Sequence, residues 1–231
     1  MEKYTAIVLA GGSGKRMGLS VKKQYIEICN KPLLYYSVHA FEKSDVDEIV
    51  LVVTPGDENY VKKEIVEKYG FKKVSAIVPG GKERYNSVYE GLKVTRGDYV
   101  LIHDGARAFV TKEIIRRAMD GAKEYGACVV GMPVKDTIKV ADGDGYVKDT
   151  PERSSLWMVQ TPQAFSYPLV KDAYEKVLAK DATGVTDDAM VVELATDQKV
   201  KLIEGSYDNI KVTTIDDLDV AENILKKQNH C

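Results

Sequence analysis

The chain has 231 residues, 44% hydrophobic and 29% charged, and its 33 Lys and Arg against 35 Asp and Glu leave a formal charge of −2. That is the size and balance of one ordinary soluble domain, here spanning 1–231, with enough apolar residues to bury a core. No stretch gathers a block of like charges, which excludes a nucleic-acid scaffold; a partner needing positive charge must be a small anion met by a few local cations.

Thr5 to Leu9 is short, apolar and soon followed by glycine, so it reads as a buried strand. Directly after it comes Leu9-Ala10-Gly11-Gly12-Ser13-Gly14-Lys15-Arg16-Met17-Gly18. Glycines there let backbone N–H groups approach an anion at the carboxyl edge of a parallel sheet. The stretch is not a Walker A loop, because Leu9 stands where the first glycine is required and Arg16 follows Gly14-Lys15. Nor is it the dinucleotide fingerprint, because Lys15, Arg16 and Met17 follow Gly12-Ser13-Gly14. Lys15 and Arg16, with Lys22 and Lys23 close behind, instead suit a triphosphate whose charge rises during reaction. Ala10, Gly11, Gly12, Gly14 and Lys15 are therefore candidate nucleotide contacts.

Glu48 to Val53 repeats the strand pattern, and Val61, Ile65 and Tyr69 follow at helical spacing. Gly80-Gly81-Lys82-Glu83-Arg84-Tyr85-Asn86-Ser87 is a second glycine loop opening a helix through Val88, Leu92 and Val94; Gly80, Gly81, Arg84 and Ser87 could meet a base or ribose. Tyr99 to Ile102 is the next strand and ends in His103-Asp104-Gly105-Ala106-Arg107. A carboxylate and a guanidinium at a strand's carboxyl end can hold a phosphate-bound Mg²⁺ and a second anion, whereas His103 is expected to be a structural hydrogen-bonding residue. Ile114, Ile115, Ala118, Met119 and Ala122 mark another helix. The alternation predicts a doubly wound α/β domain with a mostly parallel sheet.

Lys135 to Glu152 is polar and alternates on both sides of Asp142-Gly143-Asp144-Gly145, which predicts an extruded hairpin with a type I′ turn. Such an arm is marginal alone and is expected to pack on a second copy of the chain. Trp157, Met158, Phe165 and Met190 are expected in the core. Thr186-Asp187-Asp188 reads first as a helix N-cap. Tyr167 to Ala179, Asp187 to Ala195 and Asp216 to Lys227 are predicted helices, the last with a capping box of Thr214 and Asp217. Lys199 to Ile203 and Ile210 to Val212 are predicted strands; Lys211 is either an edge residue or an inward phosphate ligand.

Cys29, Cys128 and Cys231 are odd in number, lack metal-ligand spacing and are too sparse for a disulfide framework, which predicts a reduced protein. The N-terminal apolar stretch is too short for a signal sequence or membrane span, so a cytoplasmic location is expected.

Taken together, AGGSGKRMG at 10–18, KQY at 23–25, GGKERYNSV at 80–88, HDGAR at 103–107, PVKDTIK at 133–139, ERSSLW at 152–157, QTPQAF at 160–165, TDDA at 186–189 and DNIKVTT at 208–214 resemble the 2-C-methyl-D-erythritol 4-phosphate cytidylyltransferases, of the nucleotide-diphospho-sugar transferase-like fold. The resemblance implies transfer of CMP from CTP to a polyol phosphate with release of pyrophosphate, in non-mevalonate isoprenoid synthesis, with Mg²⁺ as cofactor. It makes Arg16 and Lys23 the pair that stabilises the α-phosphate and leaving pyrophosphate, and Arg153 and Lys211 the pair that positions the substrate phosphate. Asp104, Arg107, Thr137 and Thr186 resemble the substrate surroundings, with Asp104 at the metal. In that family the arm swaps across a dimer, so Thr137 and Arg153 would serve the partner's site.

The first loop reads LAGG where many members have PAAG, Lys22 stands where a proline usually precedes the lysine, and Ala108 replaces the usual proline after the arginine. LAGG also occurs in the related ribitol 5-phosphate cytidylyltransferases, which makes ribitol phosphate the alternative substrate. A CTP-binding module without activity is a further alternative, disfavoured by the joint presence of Arg16, Lys23, Arg153 and Lys211.

Overall fold

The computed structural model describes residues 2–12, 21–180, 184–228 and 231. β1 (Tyr4–Ala10) is followed by a 3-10 turn at Lys23–Tyr25, the short strands β2 (Glu27–Ile28) and β3 (Lys31–Pro32), and α1 (Leu33–Glu42). Next come β4 (Glu48–Val53), α2 (Glu58–Val61) running on into a π-helical stretch at Lys62–Glu67, β5 (Val74–Pro79), α3 (Arg84–Val94), β6 (Tyr99–Asp104), α4 (Lys112–Tyr125) and β7 (Ala127–Pro133). The chain ends with β8 (Val140–Ala141), β9 (Val147–Asp149), β10 (Trp157–Ser166), α5 (Tyr167–Ala179), α6 (Asp188–Ala195), β11 (Lys201–Glu204) and α7 (Asp216–Lys227).

One seven-stranded sheet has the order β11-β7-β10-β6-β1-β4-β5. β10 runs antiparallel to both its neighbours and the other pairs are parallel, as the predicted fold class requires. The side chains of β1 alternate between two buried layers. Ala6, Val8 and Ala10 pack with Leu33, Val38 and Phe41 of α1 and with Ile115 of α4. Ile7 packs with Val88 and Leu92 of α3, Val170 and Tyr174 of α5, and Val191 of α6. Burial on both faces explains why these strands are apolar runs without a polar alternation. From β1 the chain steps outward to β4 and β5, then returns to β6 on the other side of β1. The strand order thus reverses between β1 and β6, and a crevice opens at their carboxyl ends.

Five expectations need correction. Ile210 to Val212 is not a strand: the segment crosses the carboxyl ends of the sheet, with Val212 N–H donating to the Ala106 carbonyl and Asn209 Nδ2 donating to the Thr161 carbonyl, so single backbone and side-chain bonds hold it where a ladder was expected. The hairpin β8–β9 forms and is exposed throughout, but its turn is not type I′. Gly145 has a positive φ of 88° and Gly143 does not, because the Asp142 carboxylate gathers the N–H groups of Asp144 and Tyr146 into a side-chain-closed turn. Met158 lies on the solvent side of β10, 44% exposed, while Phe165 is buried as predicted.

The cysteines are not all reduced: Cys29 and Cys231 form a disulfide with Cα atoms 5.0 Å apart, and Cys128 is free and buried. A sequence separation of 202 conceals the pair, which meets because α7 packs beside β2. Finally, the strand predicted from Lys199 begins at Lys201.

Candidate functional site

Two adjoining cavities of about 400 and 330 Å³ occupy the crevice and share Arg84, Asp104 and Lys211 as a common wall. The first is also lined by Gly11 and Gly12 after β1, by Lys23, and by Gly81, Lys82, Glu83 and Ser87 at the start of α3. The second takes in Arg107, Gln163, Thr186 and Asp187.

Local chemistry places each group. Gln24, buried, donates Nε2–H to the Ala10 carbonyl at 2.8 Å, which fastens the turn carrying Lys23 to the end of β1. Lys23 Nζ lies 3.3 Å from the Val212 carbonyl. Lys22, set where the family's proline was expected, is turned away and pairs with Asp57, which also accepts from the Tyr25 hydroxyl. Gly80 N–H donates to the Val53 carbonyl at 2.7 Å, and a Cβ on Gly80 would come within 2.8 Å of Ser87 Oγ. Glycine is therefore needed for the loop to lie against α3, whose first turn is closed by reciprocal bonds between Glu83 and Asn86.

Asp104 ends β6. Its Oδ2 accepts from Lys211 Nζ at 2.7 Å and its Oδ1 lies 3.4 Å from Arg84 Nε. Burial alone would raise its pKa, but the Arg84 and Lys211 charges outweigh burial and hold the carboxyl well below the usual range. Burial lowers the Arg107 pKa, opposed by Asp104; its guanidinium donates to the Asn209 carbonyl at 2.8 Å and the Val159 carbonyl at 3.3 Å.

His103 is fully buried, and burial pushes its pKa down to about 4. Nε2 lies 3.1 Å from the Arg107 carbonyl, which only accepts, so the ring carries its proton on Nε2. Nδ1 then accepts from the Thr161 hydroxyl at 3.0 Å, and Thr161 Oγ1 in turn accepts from Asp104 N–H at 3.1 Å. This row of bonds shapes the loop that presents Asp104 and Arg107, in keeping with the structural role expected for His103.

Of the residues singled out in the sequence, Gly11, Gly12, Lys23, Gly81, Arg84, Ser87, Asp104 and Lys211 come together in the first cavity, and Arg107 and Thr186 in the second. Ala10 and Gly80 line neither cavity and are the chain neighbours of Gly11 and Gly81, which line the first. Gly14, Lys15 and Arg16 lie outside the described residues. Thr137 and Arg153 line neither cavity: Thr137 is exposed near the arm's base, and Arg153 donates to the Lys135 carbonyl at 3.1 Å. Tyr174 is marked by no sequence motif, Gln163 enters only within QTPQAF, and Asp188 only within the expected helix N-cap and TDDA. Gln163 accepts from the N–H groups of Asp188 and Ala189 and donates to Asp187, and so clamps the start of α6.

Among the described residues, no three His, Cys, Asp or Glu side chains converge on a metal position, and no helix is long and apolar enough to cross a membrane. Asp104 offers a hard, ionised oxygen ligand in a wall shared by both cavities. That fits Mg²⁺, which takes one or two carboxylates and completes its shell with water and substrate phosphates.

Residues 4–227 match the sequence model of the family described as IspD, 2-C-methyl-D-erythritol 4-phosphate cytidylyltransferase. The chain is 51% identical to the protein of that name from Alkaliphilus oremlandii, over 98% of this chain and 96% of the relative. It is 50% identical to the one from Clostridium perfringens, over 98% of this chain and 100% of the relative. Among solved structures it is similar to the 4-diphosphocytidyl-2C-methyl-D-erythritol synthase of Anaerococcus prevotii, with a TM-score of 0.86 and 34% identity over 97% of this chain and 96% of that one. The 2-C-methyl-D-erythritol 4-phosphate cytidylyltransferase of Thermus thermophilus follows, with a TM-score of 0.79 and 28% identity over 98% of this chain and 100% of that one.

Proposed function

The chain belongs to the 2-C-methyl-D-erythritol 4-phosphate cytidylyltransferase family, and from that premise we propose which of its residues carry out the reaction and how. As a member it is a nucleotidyltransferase of isoprenoid synthesis that passes CMP from CTP to methylerythritol 4-phosphate and releases pyrophosphate. The observation that carries the assignment of residues is the wall of Arg84, Asp104 and Lys211 between two cavities, one edged by glycine loops and the other by Arg107 and Thr186.

The first cavity takes CTP, with Gly11, Gly12, Gly81 and Ser87 toward the nucleoside and Lys23 toward the phosphates. The second takes the polyol phosphate. A phosphate monoester has a second pKa of about 6, so at neutral pH the nucleophile is already anionic and no general base is needed. Its oxygen bonds to the α-phosphorus as the bond from that phosphorus to the bridging oxygen breaks, and pyrophosphate carries away the electron pair. The protein's task is to align two repelling anions and offset their charge, which Lys23, Lys211 and Arg107 do here, with Arg16 by family likeness. Asp104 would hold Mg²⁺ against the triphosphate, where the ion supplies charge neutralisation and template geometry.

Arg153 and Thr137, which line neither cavity, are assigned to the site of a second subunit, the arm reaching across a homodimer. Tyr146 and Val147, 74% and 62% exposed at its tip, would be covered there. A cytoplasmic location belongs to the same reading.

The test is pyrophosphate release with Mg²⁺ and CTP, run with methylerythritol 4-phosphate and with ribitol 5-phosphate, with EDTA controls. Turnover of the first alone is expected. Turnover of ribitol phosphate alone would overturn the substrate, and failure with both would overturn the activity.

A further inference from the structure

A row of side chains runs inward from the cavity wall and is not used by the reaction as described. Arg84, the first residue of α3, turns Nη1 and Nη2 onto the two oxygens of Asp188, at 2.8 and 2.7 Å. Asp188 is fully buried, and its Oδ1 also accepts from the Tyr174 hydroxyl of α5 at 2.5 Å. Neither Asp188 nor Tyr174 lines either of the two cavities of the crevice. Arg84 reaches Asp104 only through Nε, at 3.4 Å.

A guanidinium prefers to grip a carboxylate with two parallel bonds, and Arg84 has two carboxylates within reach. Asp188 holds the fork because a buried carboxylate deprived of its cation is costly. Tyr174 reinforces the grip. Burial and the Asp188 charge together keep its phenol protonated, hence a donor. We infer that Asp188 and Tyr174 are positioning residues for the transfer reaction, holding the Arg84 fork away from Asp104 so that the Asp104 carboxylate stays shared with Lys211 and open toward the substrates. The inference rests on Asp104 and Arg84 being part of the site proposed above.

The alternative is that Arg84 and Asp188 merely staple α3 to α6. A staple would move the melting temperature and leave the catalytic rate alone. The experiment compares Asp188→Asn, Tyr174→Phe, Arg84→Lys and the double variant Asp188→Asn/Arg84→Lys, reading melting temperature, calorimetric Kd for CTP, and kcat with methylerythritol 4-phosphate. Asp188→Asn is expected to lower kcat at least about tenfold, more than it weakens CTP binding, the scale of losing a hydrogen bond to a charged group.

The double variant is expected to be no slower than Arg84→Lys, because Asp188 acts through a fork that lysine cannot offer. Tyr174→Phe keeps the ring volume and decides the matter if Asp188→Asn does not fold; a kcat reduced about threefold or more, with CTP binding retained, is expected. Unchanged kcat in Tyr174→Phe and in a folded Asp188→Asn would overturn the inference, as would losses that multiply in the double variant. Either result, obtained beside an active wild type, leaves the proposed activity standing. An inactive wild type would instead remove the reading on which the inference rests.

Discussion

His103 is fully buried and lines neither cavity, and its burial gives it a measurable role in stability. Unfolded, its ring takes a proton near the ordinary value of 6.5; folded, it stays neutral down to about 4. Between those pH values the unfolded chain binds the additional proton, so stability falls as pH drops through this window, by up to about 3 kcal/mol. Asp104 acts in a different window. Its folded pKa is depressed, so its contribution is complete above the ordinary carboxylate value and is lost only as pH falls below it toward the folded pKa. Urea midpoints measured at pH 7 and pH 4.5 should therefore drop for the wild type, and drop less for His103→Gln, which retains an amide donor. Equal drops in the two proteins would contradict a His103 ring that stays neutral in the fold.

α3 carries Arg84 and Ser87 to the cavity and lies close on the sheet because Gly91 has no side chain. A Cβ there would come within 2.8 Å of Ile7 Cγ2 and 3.1 Å of Val52 Cγ2. Gly91→Ala should cost about 1–3 kcal/mol by overpacking, lower the melting temperature by several degrees in calorimetry, and raise the KM for CTP by displacing the start of the helix. An unchanged melting temperature would show that α3 has slack. Elements of this kind were legible because their apolar spacing is local: Glu48 to Val53, Tyr167 to Ala179 and Asp216 to Lys227 have the predicted bounds.

β10 was not legible. Its sequence WMVQTPQAFS mixes polar residues with Pro162, which argues against an inner strand, and the ladder to β7 indeed shifts register between Val159 and Gln163. The bonds joining Asp188 to Arg84, Arg107 to Asn209 and Thr161 to His103 were hidden for another reason. They link positions far apart in the chain, and no local pattern marks them.

At the scale of the molecule, the two cavities sit at the carboxyl edge of the sheet, and the arm and the chain end lie outside their lining. The Cys29–Cys231 bridge ties the end of the chain to the turn between β2 and β3, a few residues beyond Lys23. The arm leaves the body after β7 and returns at β10, carrying Thr137 and Arg153 with it. If these serve a partner's cavity, Lys23→Ala and Arg153→Ala subunits, each nearly inactive alone, should regain activity when refolded together, because some mixed pairs contain one intact site. No recovery on mixing would assign Arg153 to its own subunit or to no site.

The central claim is that transfer takes place across the wall shared by the two cavities. The most direct measurement is the initial rate of pyrophosphate release from CTP and methylerythritol 4-phosphate by the wild type and by Asp104→Asn, an isosteric change that removes the shared charge. A fall of about a hundredfold in a protein that still folds, though at a lower melting temperature because Lys211 and Arg84 lose a charged partner, is the predicted result. A folded Asp104→Asn protein turning over at close to the wild-type rate would place the chemistry elsewhere and contradict the account.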